Sequence, residues 1–253
     1  MHELTELIRQ DMCPALGVTE PGAIAFVVAT ARKHTAGAVK HITLRLNSGM
    51  FKNAFTCGIP NSTEVGNCHA AALGACGADP DKRLECLDGI TAEQAQAARN
   101  MAAAGIIKVE MTEITSRIFI EAEVETDTDT SCVTIRDAHT NIVKITENGK
   151  TVYEKPHTAA EESHAEPLIH RYTLAQLHDY ALTVPAEELT FIRKAFELNY
   201  ALCQAGIASP KTTYARCLLE ANDGQMISDD EQKTASLLCN AAIEARVLGL
   251  PEP

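Results

Sequence analysis

The sequence lacks tryptophan and is poor in aromatics, with 5 Tyr and 6 Phe in 253 residues. Its core must therefore be built from aliphatic and small side chains. Positive charge is scarce: 22 Lys plus Arg stand against 34 Asp plus Glu, a formal charge of −12. Phosphate contacts need clustered Lys and Arg, so nucleic acid is excluded as a partner. No run approaches 18 apolar residues, which excludes a membrane span. The opening MHELTELIRQ has acids and no apolar stretch, unlike a secretory signal. A cytoplasmic chain follows as the expectation. No two of the nine cysteines lie three apart, so no CxxC redox or zinc-ribbon signature is present. An odd cysteine count also argues against a complete disulfide set. Cysteine is among the most buried residue types, and these nine read mainly as core filler.

What is present is an ordinary globular composition, 45% hydrophobic and 22% charged. A chain of this length buries roughly 70–75% of its unfolded surface. Residues 3–12 read as a short helix stopped near Pro14. Thr19-Glu20-Pro21 reads as a helix start with Thr19 as N-cap. Gly22 to Arg32 is apolar almost all round, the mark of a buried helix. Val39, Ile42, Leu44 and Leu46 bring in a strand pattern. Residues 48–66, rich in Gly, Asn, Ser, Thr and Pro, read as a long loop. Ala70–Ala75 reads as a tightly packed helix, and 92–104 as an Ala-rich helix capped by Thr91.

From 106 to 155 the alternation is β, and Asn148-Gly149 marks a hairpin. Residues 156–168 read as a polar linker; His157 and His164 there, and His170 just beyond, have no spacing that fixes a metal site. After 172 the pattern is helical, and Ser228-Asp229-Asp230 caps a last helix. The fold class is α+β: a discontinuous helical part (1–37 and 157–253) around an inserted α+β domain (38–156). The insertion is expected to hold a mixed or antiparallel sheet of about five strands, with helices on one face.

Three loop motifs stand apart from any packing need. They are Pro14-Ala15-Leu16-Gly17-Val18-Thr19-Glu20-Pro21, Ser48-Gly49-Met50-Phe51-Lys52-Asn53 closing in Gly58-Ile59-Pro60, and Asp137-Ala138-His139-Thr140-Asn141-Ile142-Val143. With them the chain resembles the L-cysteine desulfidase-like proteins of the serine dehydratase alpha-chain superfamily. Their marks are PALGCTEP, an S-x-x-x-KN-x-x-x-x-x-IP loop and an HTNIV strand. Ala72-Leu73-Gly74-Ala75, Leu84-Glu85-Cys86-Leu87, and Asn199, Ala201 and Gly206 fit further stretches of that family. The resemblance implies a [4Fe–4S] lyase that removes sulfide or hydroxyl from a small amino acid, giving pyruvate and ammonia. Iron with an open position would act as Lewis acid, held by Cys thiolates.

The sequence departs from that pattern in four places. Val18 stands where the family has a cluster cysteine, and Cys13, five residues earlier, is a weak substitute. No metal ligand is therefore assigned. Asn61-Ser62-Thr63-Glu64 replaces a GTGM stretch. Ile243 to Gly249 keeps Arg246 of an SDARMGG stretch but loses its Asp. The family's GSGNQG motif and further cysteines would fall beyond Pro253.

By this resemblance Lys52 and His139 are the candidate catalytic residues. Thr19, Glu20, Ser48, Asn53, Thr140, Asn141 and Arg246 are the candidate substrate-binding residues. Lys52 suits a carboxylate, and Asn53 suits orientation by hydrogen bonds. His139 suits proton transfer near neutral pH. Each also has a plain reading: a surface lysine with a turn asparagine, a strand-end histidine, a first-turn Thr and Glu, a dipole partner in Arg246.

Three functions remain open at this point. One is the N-terminal half of a split lyase, with a second polypeptide supplying the rest and an oligomer expected. Another is a non-catalytic relative that binds a small amino acid or a partner protein. The last is a cysteine-based redox or metal sensor, which no spacing supports.

Overall fold

The computed structural model describes residues 2–12, 15–156 and 167–247. Cys13, Pro14, His157 and His164 lie outside the described residues, with most of the expected linker. The helices are α1 (Glu3–Asp11), α2 (Thr19–Lys33), α3 (Ser48–Ala54), α4 (Gly66–Cys76), α5 (Ala92–Ala103), α6 (Leu174–Thr183), α7 (Thr190–Ala208), α8 (Tyr214–Ala221) and α9 (Glu231–Val247). The strands are β1 (Val39–Leu46), β2 (Ile107–Met111), β3 (Phe119–Thr126), β4 (Thr130–Arg136), β5 (Ile142–Glu147) and β6 (Lys150–Glu154). No described helix is long and apolar enough to cross a membrane.

The fold is α+β, as expected, with one six-stranded mixed sheet in the order β2-β1-β3-β4-β5-β6. Only β1 and β2 pair in parallel; α3, α4 and α5 lie between them in sequence. Every other neighbouring pair is antiparallel. Strand alternation divides the sheet into two chemistries. Leu44, Ala122, Val133 and Ile145 stand in one cross-strand row and are buried. One residue along, Arg45, Glu121, Thr134 and Lys144 form the row on the other face. There Arg45 bonds Glu121 at 3.0 Å and reaches Glu110 at 3.4 Å and Glu123 at 3.6 Å.

The buried face is covered by α2 over β3 and β4, and by α4 over β1 and β2. Residues Pro21 to Ala31 of α2 are all buried. Its one buried hydroxyl, Thr30, donates to its own helix at Phe26 O, 2.8 Å away. A Cβ on Gly74 of α4 would stand 2.6 Å from Ala25 O, so the two helices touch backbone to backbone.

This placement divides the expected helical segment 1–37. α1 does lie with the C-terminal helices: Thr5 meets Tyr180, and the Arg9 guanidinium sits 4.4 Å over the Phe191 ring. α2 instead forms the centre of the α+β core with β1, β3 and β4. A helix that is apolar all round has no preferred face, so its sequence does not say which layer it joins.

Two further corrections concern the helix starts. The N-cap of α2 is Val18, in extended conformation and without a side-chain cap bond; Thr19 is already inside the helix. Residues 48–66 are not one long loop, because Ser48–Ala54 is helical and α4 begins at Gly66. Asn47 fixes that start from a distance. Its amide donates to Thr115 O at 2.7 Å, and its carbonyl oxygen accepts from Phe119 N at 3.0 Å.

The C-terminal helices hold a smaller second core of Leu202, Cys203, Ala215, Leu237, Ala241 and Ala242. A Cβ on Gly206 would lie 2.5 Å from Ala241 O, so α7 and α9 are also in backbone contact. α6 buries no residue at all.

Candidate functional site

The first turn of α2, helix α3 and the turn between β4 and β5 meet at one place. These are the three sequence motifs, brought together from positions up to 120 residues apart. Asn53 on α3 donates through Nδ2 to Glu20 Oε1 at 3.0 Å. The Thr19 hydroxyl lies 3.4 Å from Glu20 Oε2 and 3.5 Å from His139 Nε2. Glu20 is thus shared between a side chain from α3 and its neighbour on α2. Lys52, exposed on α3, makes no ion pair with any described residue, and its charge is felt at Cys57.

Burial holds the His139 imidazole below its ordinary pKa of 6.5, while the Glu20 carboxylate pulls in the opposite direction. The ring is therefore neutral at neutral pH, with one of its two nitrogens able to accept a proton. Cys57 belongs to this group and was missed from sequence. Its thiol donates to Asn53 O at 2.7 Å. Burial, helped by Glu20 and opposed by Lys52, pushes its pKa above the usual 9.0. The available signal was its position four residues after Asn53, just past the end of α3.

Arg246 is brought near the same end of α2 from the last turn of α9. A Cβ on Gly17 would lie 3.6 Å from Arg246 Cβ and 3.5 Å from Pro60. Its charge also helps lower the Asp88 pKa, after the larger effect of Lys82.

Three candidates are not brought into the group. Ser48 Oγ accepts from Thr115 N at 3.0 Å and donates to Thr115 O at 3.2 Å, tying a loop to α3. Asn141 Nδ2 donates to Arg136 O at 2.8 Å, and its oxygen accepts from Lys155 Nζ at 3.1 Å. Thr140 contributes its backbone oxygen to Ile142 N at 3.1 Å. His139 and Thr140 form a tight turn, opened by Asp137 at φ 65°, and Asn141 leads from it into β5 at Ile142. Its local hydrogen bonds explain the Asn better than a ligand does.

The stretch that replaces a glycine pair keeps part of the glycine conformation. Asn61 has φ 58°, a left-handed value that Asn tolerates. Its amide is committed to Leu87 O at 3.1 Å. Glu64 is committed as well, 3.6 Å from His69 and 3.8 Å from Arg99. These side chains tie the loop to neighbouring elements, and the loop still lines a cavity of about 610 Å3 with Asp88, Ile90 and Lys211.

The described residues of this site do not by themselves hold a [4Fe–4S] cluster: Val18 offers no ligand atom, and Cys57 is the one thiol within the group. Among the described residues no group of three or more His, Cys, Asp or Glu side chains is arranged to hold a metal ion.

The chain is similar to the UPF0597 proteins. It is 34% identical over 253 residues to a UPF0597 protein of Dichelobacter nodosus, covering 100% of this chain and 58% of that protein. A UPF0597 protein of Oleidesulfovibrio alaskensis is 32% identical over 252 residues, covering 98% and 58%. One from Clostridium botulinum is 31% identical over 256 residues, covering 99% and 59%. The chain thus spans less than two thirds of the length of these relatives. No protein-family model matches the chain. No solved structure matches it either.

Proposed function

We propose that the site between α2, α3 and the β4–β5 turn binds a small amino acid, as the binding portion of a desulfidase- or dehydratase-like lyase. The supporting observation is the linked set Asn53–Glu20–Thr19–His139, drawn from all three motifs. Such a ligand carries one carboxylate and one ammonium group. Lys52, unpaired among the described residues, is the cation for the carboxylate. Glu20 is the anion for the ammonium, and Asn53 orients Glu20. Neutral His139 is the group able to take up a proton. No step is routed through a cluster, because the described residues of the site do not by themselves hold one. β-Elimination to pyruvate is assigned to the assembly with a second polypeptide, not to this chain alone.

One observation supports that second polypeptide. The C-terminal helices leave large apolar side chains in solvent: Leu174 is 84% exposed, Leu182 71% and Phe196 55%. Exposed apolar surface of this kind marks interaction sites.

Isothermal titration with L-serine and L-cysteine tests the binding. Saturable binding with a dissociation constant of about 1 mM or tighter is expected. Lys52→Ala and Glu20→Ala should each weaken it by about tenfold or more, the loss of one charge-assisted contact. No heat from any small amino acid at millimolar concentration would sink the reading.

A second reading, a binding protein without catalysis, is favoured by Val18 and by the altered Asn61–Glu64 loop, whose Asn61 amide and Glu64 carboxylate are already engaged. It is separated by one assay. Pyruvate release should stay absent even when a polypeptide matching the rest of a relative is added under anaerobic conditions with iron and sulfide. Pyruvate release in that mixture selects the split lyase.

A further inference from the structure

A cavity of about 570 Å3 lies between the start of α1, helix α6 and the turn that follows it. It shares no residue with the site described above. Three rings line it: His2, Tyr172 and Tyr180. The His2 ring centroid is 4.9 Å from that of Tyr180, tilted 40°, and 6.2 Å from that of Tyr172, tilted 51°. Two carboxylates, Asp179 and Glu188, also line it, and no Lys or Arg does among the described residues.

The rings are held by their polar ends. Buried Thr5 donates its hydroxyl to Glu188 Oε2 at 3.2 Å and lies 2.7 Å from the Tyr180 hydroxyl. With the Thr5 proton committed to Glu188, Tyr180 is the donor in that pair. The His2 backbone N–H donates to the same Glu188 oxygen at 3.1 Å. Tyr172 donates its hydroxyl to the Glu3 carboxylate. Both phenols are therefore occupied at their tips, which leaves the rings themselves to line the cavity. The His2 N–H first, then the positive charge of the chain's N-terminus and, to a smaller degree, the Thr5 hydroxyl hold the Glu188 carboxyl below its ordinary pKa, against a smaller opposing effect of burial.

We propose that this cavity binds an organic ammonium ion. Aromatic ring faces attract cations, most usefully weakly hydrated alkylammonium groups. The Asp179 and Glu188 carboxylates supply the matching charge, and Val184 and Pro185 supply contact for methyl or methylene groups. A bare metal ion is the poorer match, since one Glu188 oxygen already accepts two hydrogen bonds.

Titration of the whole chain with choline chloride, against its uncharged isostere 3,3-dimethylbutan-1-ol, tests this. Choline is expected to bind saturably and at least about tenfold more tightly than the alcohol. Tyr180→Phe keeps the ring and should retain binding within about threefold, while Tyr180→Leu should lose about tenfold. If Tyr180→Leu also loses helical circular dichroism, Tyr172→Leu reads the same loss from a side chain tied at the surface. Glu20→Ala, in the amino-acid site, should leave choline binding unchanged. Equal binding of choline and the alcohol overturns the proposal. So does no saturation up to about 50 mM choline, or unchanged affinity in Tyr172→Leu.

Discussion

His139 is poised between two opposing influences, and their balance can be measured. Burial disfavours the imidazolium, and Glu20 favours it; burial is the larger effect. The folded-state pKa is therefore below 6.5, the value expected when the chain is unfolded. Above pH 6.5 both states carry a neutral ring, and the group adds nothing to the pH slope. As pH falls below 6.5 the unfolded state takes up the proton first, so stability falls. A proton NMR titration should place His139 under 6.5. Glu20→Gln removes the favourable charge and should shift the pKa down again. A shift upward on that substitution would mean that the Glu20 carboxylate does not face the ring. The same substitution leaves an amide that can still accept from Asn53, so the α2–α3 contact is expected to survive it.

At the scale of elements, close approach and capping set the energetics. An alanine methyl at Gly74 would stand 2.6 Å from Ala25 O and 2.9 Å from Val28 Cβ. Backbone cannot yield as a flexible side-chain tip does. Gly74→Ala should therefore cost about 1–3 kcal/mol, the range for overpacking, read from urea unfolding. Thr91 and Gln94 form a reciprocal capping box on α5. Thr91→Ala should cost about 1 kcal/mol, with the loss confined to the start of α5. An unchanged midpoint for Gly74→Ala would show that α2 and α4 can move apart freely. The Thr91 cap was legible because it is local, written in four consecutive residues. So was the Asn148-Gly149 hairpin, where both residues adopt positive φ, 48° and 78°. Helix α3 was not legible. Its start is held by Asn47 reaching residues 68 and 72 positions away, and no local pattern encodes that. The site was half legible for a related reason. The family resemblance named Glu20, Asn53 and His139, but nothing in the sequence marks that Asn141 is taken up by a turn bond to Arg136 or that Ser48 is taken up by Thr115, 67 positions away.

Over the whole molecule, the two cores are unequal, and this governs how the chain opens. The sheet core buries α2 through its full middle together with β1, β3 and β4. The helical core buries six residues, and α6 contributes none of them. Hydrophobic burial scales with apolar area removed from water, so the larger core carries most of the stability. Regions with little burial open locally at low free-energy cost. Hydrogen exchange should therefore protect the amides of α2, β1 and β3 most. Those of α7 and α9, joined at Gly206 and Ala241, should follow. α6 has a capping box at its start but no buried side chain, so its amides should exchange fastest among the helices. A polypeptide that covers Leu174, Leu182 and Phe196 would change that order by slowing α6 and α7 while leaving α2 as it was. Slow exchange of α6 in the isolated chain would show that its apolar side chains are already covered, by a second copy at the concentration used. Repeating the experiment at about tenfold dilution separates the two, because self-association weakens on dilution and intrachain packing does not.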